Sequence, residues 1–374
     1  MKSGKVSGAN DFLPARARKK RRRPAGPLAI LFLLILWIFF LGPHLEAADR
    51  SSWTGVERIV AVGDLHGDYE NFVKILTQIP IPIVNGDLHW AAGNTHLVQM
   101  GDIMDRGPDA KKILDLLMNL EKEAEAADGK VHVLLGNHEE MNITGIVFRY
   151  PEYLHPEQFK SFLPDGYRRK KEEILQKAII EMRMKRETKT SEEKYYNEFW
   201  SSLIRDDERA QHEYLVNFNR KYGSWLLKQN AVIKINDTVF VHGGISEKYS
   251  LMGIEKINST LRVELADFRR AGERNEPQMI ARPEIAYQGE GPLWYRDLAI
   301  VPEADMAAEV DRILQNLGAV RMVIAHTPKI PTIAEMRRFG GKVWIIDTGI
   351  SSVYGGRLSA LIIQNGEPQI WGMQ

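Results

Sequence analysis

The feature that most constrains this chain is a repeated device: a short β-branched or aliphatic run that stops at polar, chemically capable side chains. Arg58–Val62 runs into Gly63-Asp64-Leu65-His66-Gly67, Thr95–Met100 into Gly101-Asp102, and Val131–Leu135 into Gly136-Asn137-His138-Glu139. Further on, Val239–Val241 runs into His242-Gly243-Gly244, Val320–Ala325 into His326-Thr327-Pro328, and Val343–Ile346 into Asp347-Thr348-Gly349; Leu358–Ile363 reads as another strand. Bounded apolar runs of this length predict buried strands. Helical spacing separates the first three. Phe72, Ile75, Leu76 and Ile79 follow an Asp68 cap, and Ala110, Ile113, Leu114 and Leu117 follow Pro108. A β-α-β-α-β start with a strand-rich second half predicts a layered α/β fold, whose sites gather at strand C-terminal ends.

Two stretches break the pattern. Between Gly145 and Asn230 the chain is charged and helix-prone, over Tyr167–Arg186 and Tyr196–Lys228. This predicts a helical insertion, 146–230, packed over or beside the site, with its charges on a solvated face. Leu251–Gln288 is expected to be irregular. The segment Gly86-Asp87-Leu88-His89 duplicates Gly63-Asp64-Leu65-His66, but Trp90 replaces the following glycine and Pro82 demotes the approaching run as a strand. His89 is therefore set aside as a ligand, as are His44, His96, His132, His155 and His212. No P-loop, Gly-x-Ser-x-Gly elbow or HExxH is present.

The net charge of +1 averages two unlike parts: residues 1–26 carry a net +8 and the remainder a net −7. A mildly acidic body argues against nucleic-acid binding. The basic block Arg18-Lys19-Lys20-Arg21-Arg22-Arg23 precedes fourteen apolar residues, Leu28 to Leu41. As a helix that run is about 21 Å long against a hydrocarbon core of about 30 Å, and its length suits a signal-peptide core. Extended over 27–43 it serves as a retained anchor, the reading preferred over a cleaved signal because Leu45-Glu46-Ala47 is only a passable cleavage site. Either way the basic flank is expected in the cytoplasm and the rest outside it, periplasmic if the source is bacterial: membrane-anchored, or secreted after cleavage. The expected organisation is 1–26 basic, 27–43 membrane-directed, 44–55 linker, 56–365 catalytic domain and 366–374 C-terminal end.

The strand ends deliver a metal-binding set. Asp64, His66 and Asp102 supply two carboxylates and an imidazole; Asn137, His242 and His326 supply an amide oxygen and two imidazoles. With Asp102 bridging, the six can hold two ions about 3.5–4 Å apart. Mixed N/O donors suit Mn, Fe or Zn better than Ca or Mg. His138, next to Asn137, is placed to act as a general acid, with Asp105 holding its ring. Arg106 can fork onto phosphate oxygens. The chain has no cysteine, so a thiolate-dependent phosphatase or protease is excluded.

Taken in order, Gly63-Asp64-Leu65-His66-Gly67, Gly101-Asp102-Ile103-Met104-Asp105-Arg106-Gly107, Gly136-Asn137-His138-Glu139 and His242-Gly243-Gly244 resemble the signature blocks of calcineurin-like metallophosphoesterases of the phosphoprotein phosphatase type. Ile346-Asp347-Thr348-Gly349 resembles the C-terminal motif of their bacterial-like branch, and the layout is most similar to Shewanella-like protein phosphatases. The resemblance covers about 56–365. It implies a central β-sandwich flanked by helices (α/β/β/α) and a dinuclear site whose hydroxide attacks phosphorus in line, without a phosphoenzyme. It implies a first metal on Asp64, His66 and Asp102, and a second on Asp102, Asn137, His242 and His326. His138 with Asp105 would form the acid pair and Arg106 a phosphate ligand. A second arginine is expected, and Arg296 in Trp294-Tyr295-Arg296 is the candidate.

The expected substrate is a phosphorylated protein, on Ser/Thr or Tyr, or a small phosphoester. Related folds also hydrolyse phosphodiesters and nucleoside polyphosphates, so that alternative stays open. A membrane-tethered binding protein without catalysis is the remaining alternative, disfavoured because no ligand and no acid is missing.

Overall fold

Alternation along the strands builds the molecule. In the computed structural model, which describes residues 50–79, 83–84, 87–185, 191–274, 276, 285–328 and 333–372, strand β2 (Arg58–Val62) sends Ile59 and Ala61 to one core and Val60 and Val62 to another. Strand β1 (Ser52–Trp53) comes before it, and the same split recurs further along the chain. It holds on β5 (His96–Gln99), where Leu97 and Val98 part company, and on β8 (Thr238–Val241), where Val239 and Val241 oppose Phe240. A period of two with both faces apolar means a strand covered on both sides.

One core is the seam between two sheets; the other lies under helices. The first sheet runs β13-β12-β2-β5-β6, with β6 at Lys130–Val133, β12 at Ala360–Gln364 and β13 at Glu367–Trp371. The second runs β1-β7-β8-β9-β11-β10, with β7 at Val232–Ile235, β9 at Arg321–Ile324, β10 at Arg337–Arg338 and β11 at Val343–Ile345. Ile59, Val98, Phe240, Val323, Trp344 and Leu361 fill the seam. The result is the layered α/β/β/α metallophosphoesterase fold, within one compact unit, Ser51–Gln374.

Helices α1 (Tyr69–Gln78) and α2 (Ala110–Ala126) connect the parallel strands β2, β5 and β6. The Asp68 side chain caps α1, accepting from Asn71 N at 3.0 Å. Helix α3 (Asn137–Thr144) begins on a site residue. Residues 146–230 then supply α4 (Pro156–Phe162), α5 (Asp165–Met184), α6 (Glu192–Asp206) and α7 (Glu208–Phe218). Asp207 divides the helix-prone stretch in two, because its carboxylate caps α7 by accepting from Ala210 N.

Two expectations need correction. Leu251–Gln288 is not irregular throughout: it contains the twenty-residue helix α8 (Ile254–Glu273). Its buried stripe, Ile257, Leu261 and Leu265, repeats at i+4 among charged neighbours, so the period is helical but thin. Pro82 does not abolish strand pairing after it either. Ile83–Val84 (β3) pairs with Asp87–Leu88 (β4) in a ladder separate from both main sheets. Later helices α9 (Asp297–Ile300) and α10 (Glu303–Leu317) precede β9. The basic block, the apolar run at 27–43 and His44 lie outside the described residues; among the described residues no helix is long and apolar enough to cross a membrane.

Candidate functional site

The C-terminal ends of β2, β5, β6, β8 and β9 deliver Asp64, Asp102, Asn137, His242 and His326 to one buried locus, each 0–4% exposed. Such convergence demands unusual backbone. His66, Asp102, Asp105, Arg106 and His326 all have positive φ, from 42° to 68°. Non-glycine residues rarely hold that region, and each one costs on the order of 1 kcal/mol or more. Close approach of neighbouring turns is equally tight. Gly101 has φ +93°, and a Cβ there would lie 2.6 Å from Gly136 N.

Glu139 holds the Asp102 turn in place. Its Oε2 accepts from Asp102 N (2.8 Å) and Gly136 N (2.9 Å), and its Oε1 from Ile103 N (2.8 Å) and Met104 N (3.3 Å). Burial, then the charge of Asp102, pushes the Glu139 carboxyl up to about 7.

Asp102 sits between two donor groups. Its Oδ1 lies 3.3 Å from His242 Nε2, and its Oδ2 lies 3.8 Å from His66 Nε2 and 3.9 Å from His138 Nε2. His242 Nε2 is also 3.0 Å from Asn137 Oδ1 and 3.1 Å from His326 Nδ1. The tautomers follow from backbone carbonyls, which only accept. His66 Nδ1–H donates to Met104 O (3.1 Å) and His242 Nδ1–H to Met100 O (2.9 Å), so both Nε2 atoms face the centre. Asp64 Oδ1 accepts from His326 N and lies 3.8 Å from His242 Nδ1.

The electrostatics call for cations. Burial, then the charges of Asp347 and Asp102, holds Asp64 well above the carboxylate range; burial likewise pushes Asp347 up to about 6. Burial opposes ionisation of Asp102 too, but His242 and His138 outweigh it and hold that group well below its usual range. His66 falls to about 4, from burial and then the His138 charge, and His326 falls well below its ordinary value for burial and the His242 charge. Two imidazoles held neutral, His66 and His326, stand beside crowded carboxylates and offer lone pairs to a cation. His326 Nε2 is buried without a hydrogen-bond partner. Among the described residues, His66, Asp102 and His138 form one triad of possible ligand atoms within 4.8 Å, and Asp102, His242 and His326 another, sharing Asp102. These residues fit two metal ions with mixed N/O ligation.

His138 has a different setting. Its Nδ1 lies 2.7 Å from Asp105 Oδ2, and Asp105 is gripped in turn by Gln158 Nε2 (2.7 Å) and by Asn142 Nδ2 at both oxygens. Gln158 Oε1 accepts from Asp105 N at 2.7 Å, and Tyr214 O–H donates to Asn142 at 2.6 Å. Burial works against the imidazolium, yet the Asp102 charge and then the Asp105 hydrogen bond and charge push His138 up to about 9. The Asp102 and Asp105 carboxylates thus hold the ring toward its protonated form.

Arg106 lies with its guanidinium 3.8 Å from the centre of the Tyr153 ring, and its Nε is buried without a partner. Arg296 is exposed and donates from Nη1 to His326 O (2.9 Å) and Thr327 Oγ1 (3.1 Å), which brings it beside the site. All ten residues singled out in the sequence therefore gather here. The histidines set aside that fall among the described residues do not. His89 pairs with Glu123 at the surface, His96 with His132 under Trp53, His155 caps α4 and His212 bonds Glu273 O. Sequence reasoning did not pick out Glu139 and Asp347, which stand inside or beside the quoted blocks. It also missed Gln158, Tyr214, Tyr153 and Tyr354, whose ring lies 5.1 Å from that of His66; none of them carries a motif.

Known proteins are similar to this chain over most of its length. The family model for calcineurin-like phosphoesterases matches residues 57–329. Shewanella-like protein phosphatase 2 of Arabidopsis thaliana is 30% identical over 283 residues, 72% of this chain and 66% of that protein. Shewanella-like protein phosphatase 1 of Plasmodium berghei is 25% identical over 307 residues, 81% and 69%. The solved cold-active protein-tyrosine phosphatase of a psychrophilic Shewanella superposes with a TM-score of 0.61 at 25% identity, covering 86% of this chain and 81% of that one. The chain belongs to the calcineurin-like phosphoesterases and is a metal-dependent hydrolase of phosphate esters.

Proposed function

We propose that the protein removes phosphoryl groups from phosphoproteins. The observation that carries this is a carboxylate-held imidazole, His138, standing beside a shared carboxylate, Asp102, that has His66 on one side and His242 with His326 on the other. Asp64, His66 and Asp102 would hold one ion, and Asp102, Asn137, His242 and His326 the other. Mn, Fe or Zn in that site supplies Lewis acidity toward the phosphoryl group and lowers the pKa of water. Arg106 and Arg296 bind phosphate oxygens and orient the ester. Asp105 keeps His138 charged, and His138 passes its Nε2 proton to the departing alkoxide.

Relatives named as protein phosphatases align over 72% and 81% of the chain, whereas those named as dinucleoside tetraphosphatases align over 22% and 21%. The latter span covers only part of the fold, so it favours shared metal chemistry over a shared substrate. The test is hydrolysis of phosphoserine and phosphotyrosine peptides against dinucleoside tetraphosphate by the full chain with Mn. Faster turnover of the dinucleotide would overturn the assignment. We propose further that 27–43 directs the domain out of the cytoplasm, supported by the basic block before it. A reporter active only outside the cytoplasm, fused after residue 60, should be active.

A further inference from the structure

A cleft of about 450 Å³ opens beside the site, between the 150–156 turn and α6, and Arg106 lines both. Tyr153 is the partition. Its carbonyl accepts from Arg106 N at 2.7 Å, its ring carries the Arg106 guanidinium, and that ring stands 5.4 Å from the ring of His138. This position matters because His138 protonates the leaving oxygen, and the leaving oxygen is where the rest of a phosphoprotein is attached. The body of the substrate must therefore lie on the His138–Tyr153 side, which is the side of the cleft.

The lining is rich in donors. Arg106 stands at the near end and Ser201 and Arg205, both on α6, at the far wall. His155 Nδ1 accepts from Glu157 N, so its proton is on Nε2, a further donor. Glu152 is the carboxylate on the lining; Arg205 is steadied from outside it by Glu198 at 2.7 Å and Asp206 at 3.8 Å. Donors that outnumber acceptors favour an anionic guest.

We propose that this cleft receives the polypeptide flanking the phosphorylated residue and that Arg205 selects a substrate side chain bearing a carboxylate. This rests on the phosphoprotein reading of the site, and it makes α6 a specificity element of the insertion.

The test uses the full chain with Mn and phosphopeptides made with phosphoserine and with phosphotyrosine. Each is prepared in two forms that differ only in Asp or Lys on both sides of the phosphoresidue. Wild type should prefer the Asp form by about 5- to 10-fold in kcat/KM, carried by KM, the size expected of a part-exposed charge contact. R205A should bring that ratio near one, and R205E should reverse it. Because the ratio is taken within one preparation, partial misfolding does not move it. Hydrolysis of an aryl phosphate and the peptides with no preference in wild type, or a preference that R205E leaves unchanged, overturns the subsite and leaves the phosphatase. Failure to hydrolyse any of them overturns both.

Discussion

Asp105→Asn isolates the proton donor from the rest of the site. The side chain keeps its size and, through its amide, a partner for Gln158, but loses the charge beneath His138. His138 is pushed up to about 9 from an ordinary 6.5, a displacement on the order of 3 kcal/mol in favour of the imidazolium. Asp102 contributes to that, and Asp105 contributes both a 2.7 Å hydrogen bond and a charge, against burial. Removing Asp105 should lower the His138 pKa by at least about one unit, about 1.4 kcal/mol. The sign is fixed: a raised imidazole is fully protonated below its ordinary value and loses its proton as pH rises through about 9. Activity that needs the donor therefore has an alkaline limb, and the substitution should move that limb to lower pH.

The size of the loss should depend on the leaving group. An alkoxide, as from phosphoserine, needs the proton, so kcat should fall by about 10²–10⁴-fold. An activated aryl oxide departs nearly unaided, so its rate should fall by less than about tenfold. The assay is kcat and kcat/KM against pH for a phosphoserine peptide and an activated aryl phosphate, on wild type and D105N. Equal losses on both substrates, with an unmoved alkaline limb, would show that Asp105 serves structure alone and would remove His138 as the acid.

Four further outcomes follow from the geometry. Glu139→Gln leaves one acceptor oxygen where four backbone N–H groups need two, so metal affinity should drop about 10–100-fold by titration. Gly101→Ala meets backbone at 2.6 Å in a left-handed conformation and should destabilise by roughly 3 kcal/mol or more in thermal unfolding. In chelated protein Asp347, raised to about 6, binds more protons folded than unfolded, so stability should fall by about 3 kcal/mol as pH rises from about 4 to 6; Tm measured with chelator should show that slope and Mn should flatten it. Gln158→Leu strips Asp105 of two hydrogen bonds and should lower phosphoserine turnover more than aryl phosphate turnover.

How much of this was legible depends on distance along the chain. The metal-ligand candidates stand in contiguous blocks because each must follow a strand end, and strand ends are written locally in apolar runs and glycine. The layered α/β class was legible for the same reason, whereas the central sandwich was implied by the family resemblance. The support of the acid was not. Gln158 and Tyr214 reach Asp105 and Asn142 from helices 53 and 72 residues away, and a glutamine or tyrosine inside an amphipathic helix carries no sign of its partner. Helix α8 escaped because three buried apolar residues in twenty give a weak period. Glu139 was visible within its block, yet its role as a clamp on the Asp102 turn needed the fold.

That clamp explains why residues with positive φ survive at these positions. Asp102, Asp105 and Arg106 lie on one turn, and their backbone N–H groups bond Glu139, Gln158 and Tyr153 O respectively. Each bond is made by a different element: α3, α4 and the 150–156 turn. Strain in the turn is therefore balanced in part by contacts that form only when residues 146–230 are docked. The candidate metal ligands and the proposed acid are coupled through this single turn. Loosening α4 should disturb the proton donor before it disturbs the donor set around Asp102, because Glu139, not Gln158, holds the Asp102 end.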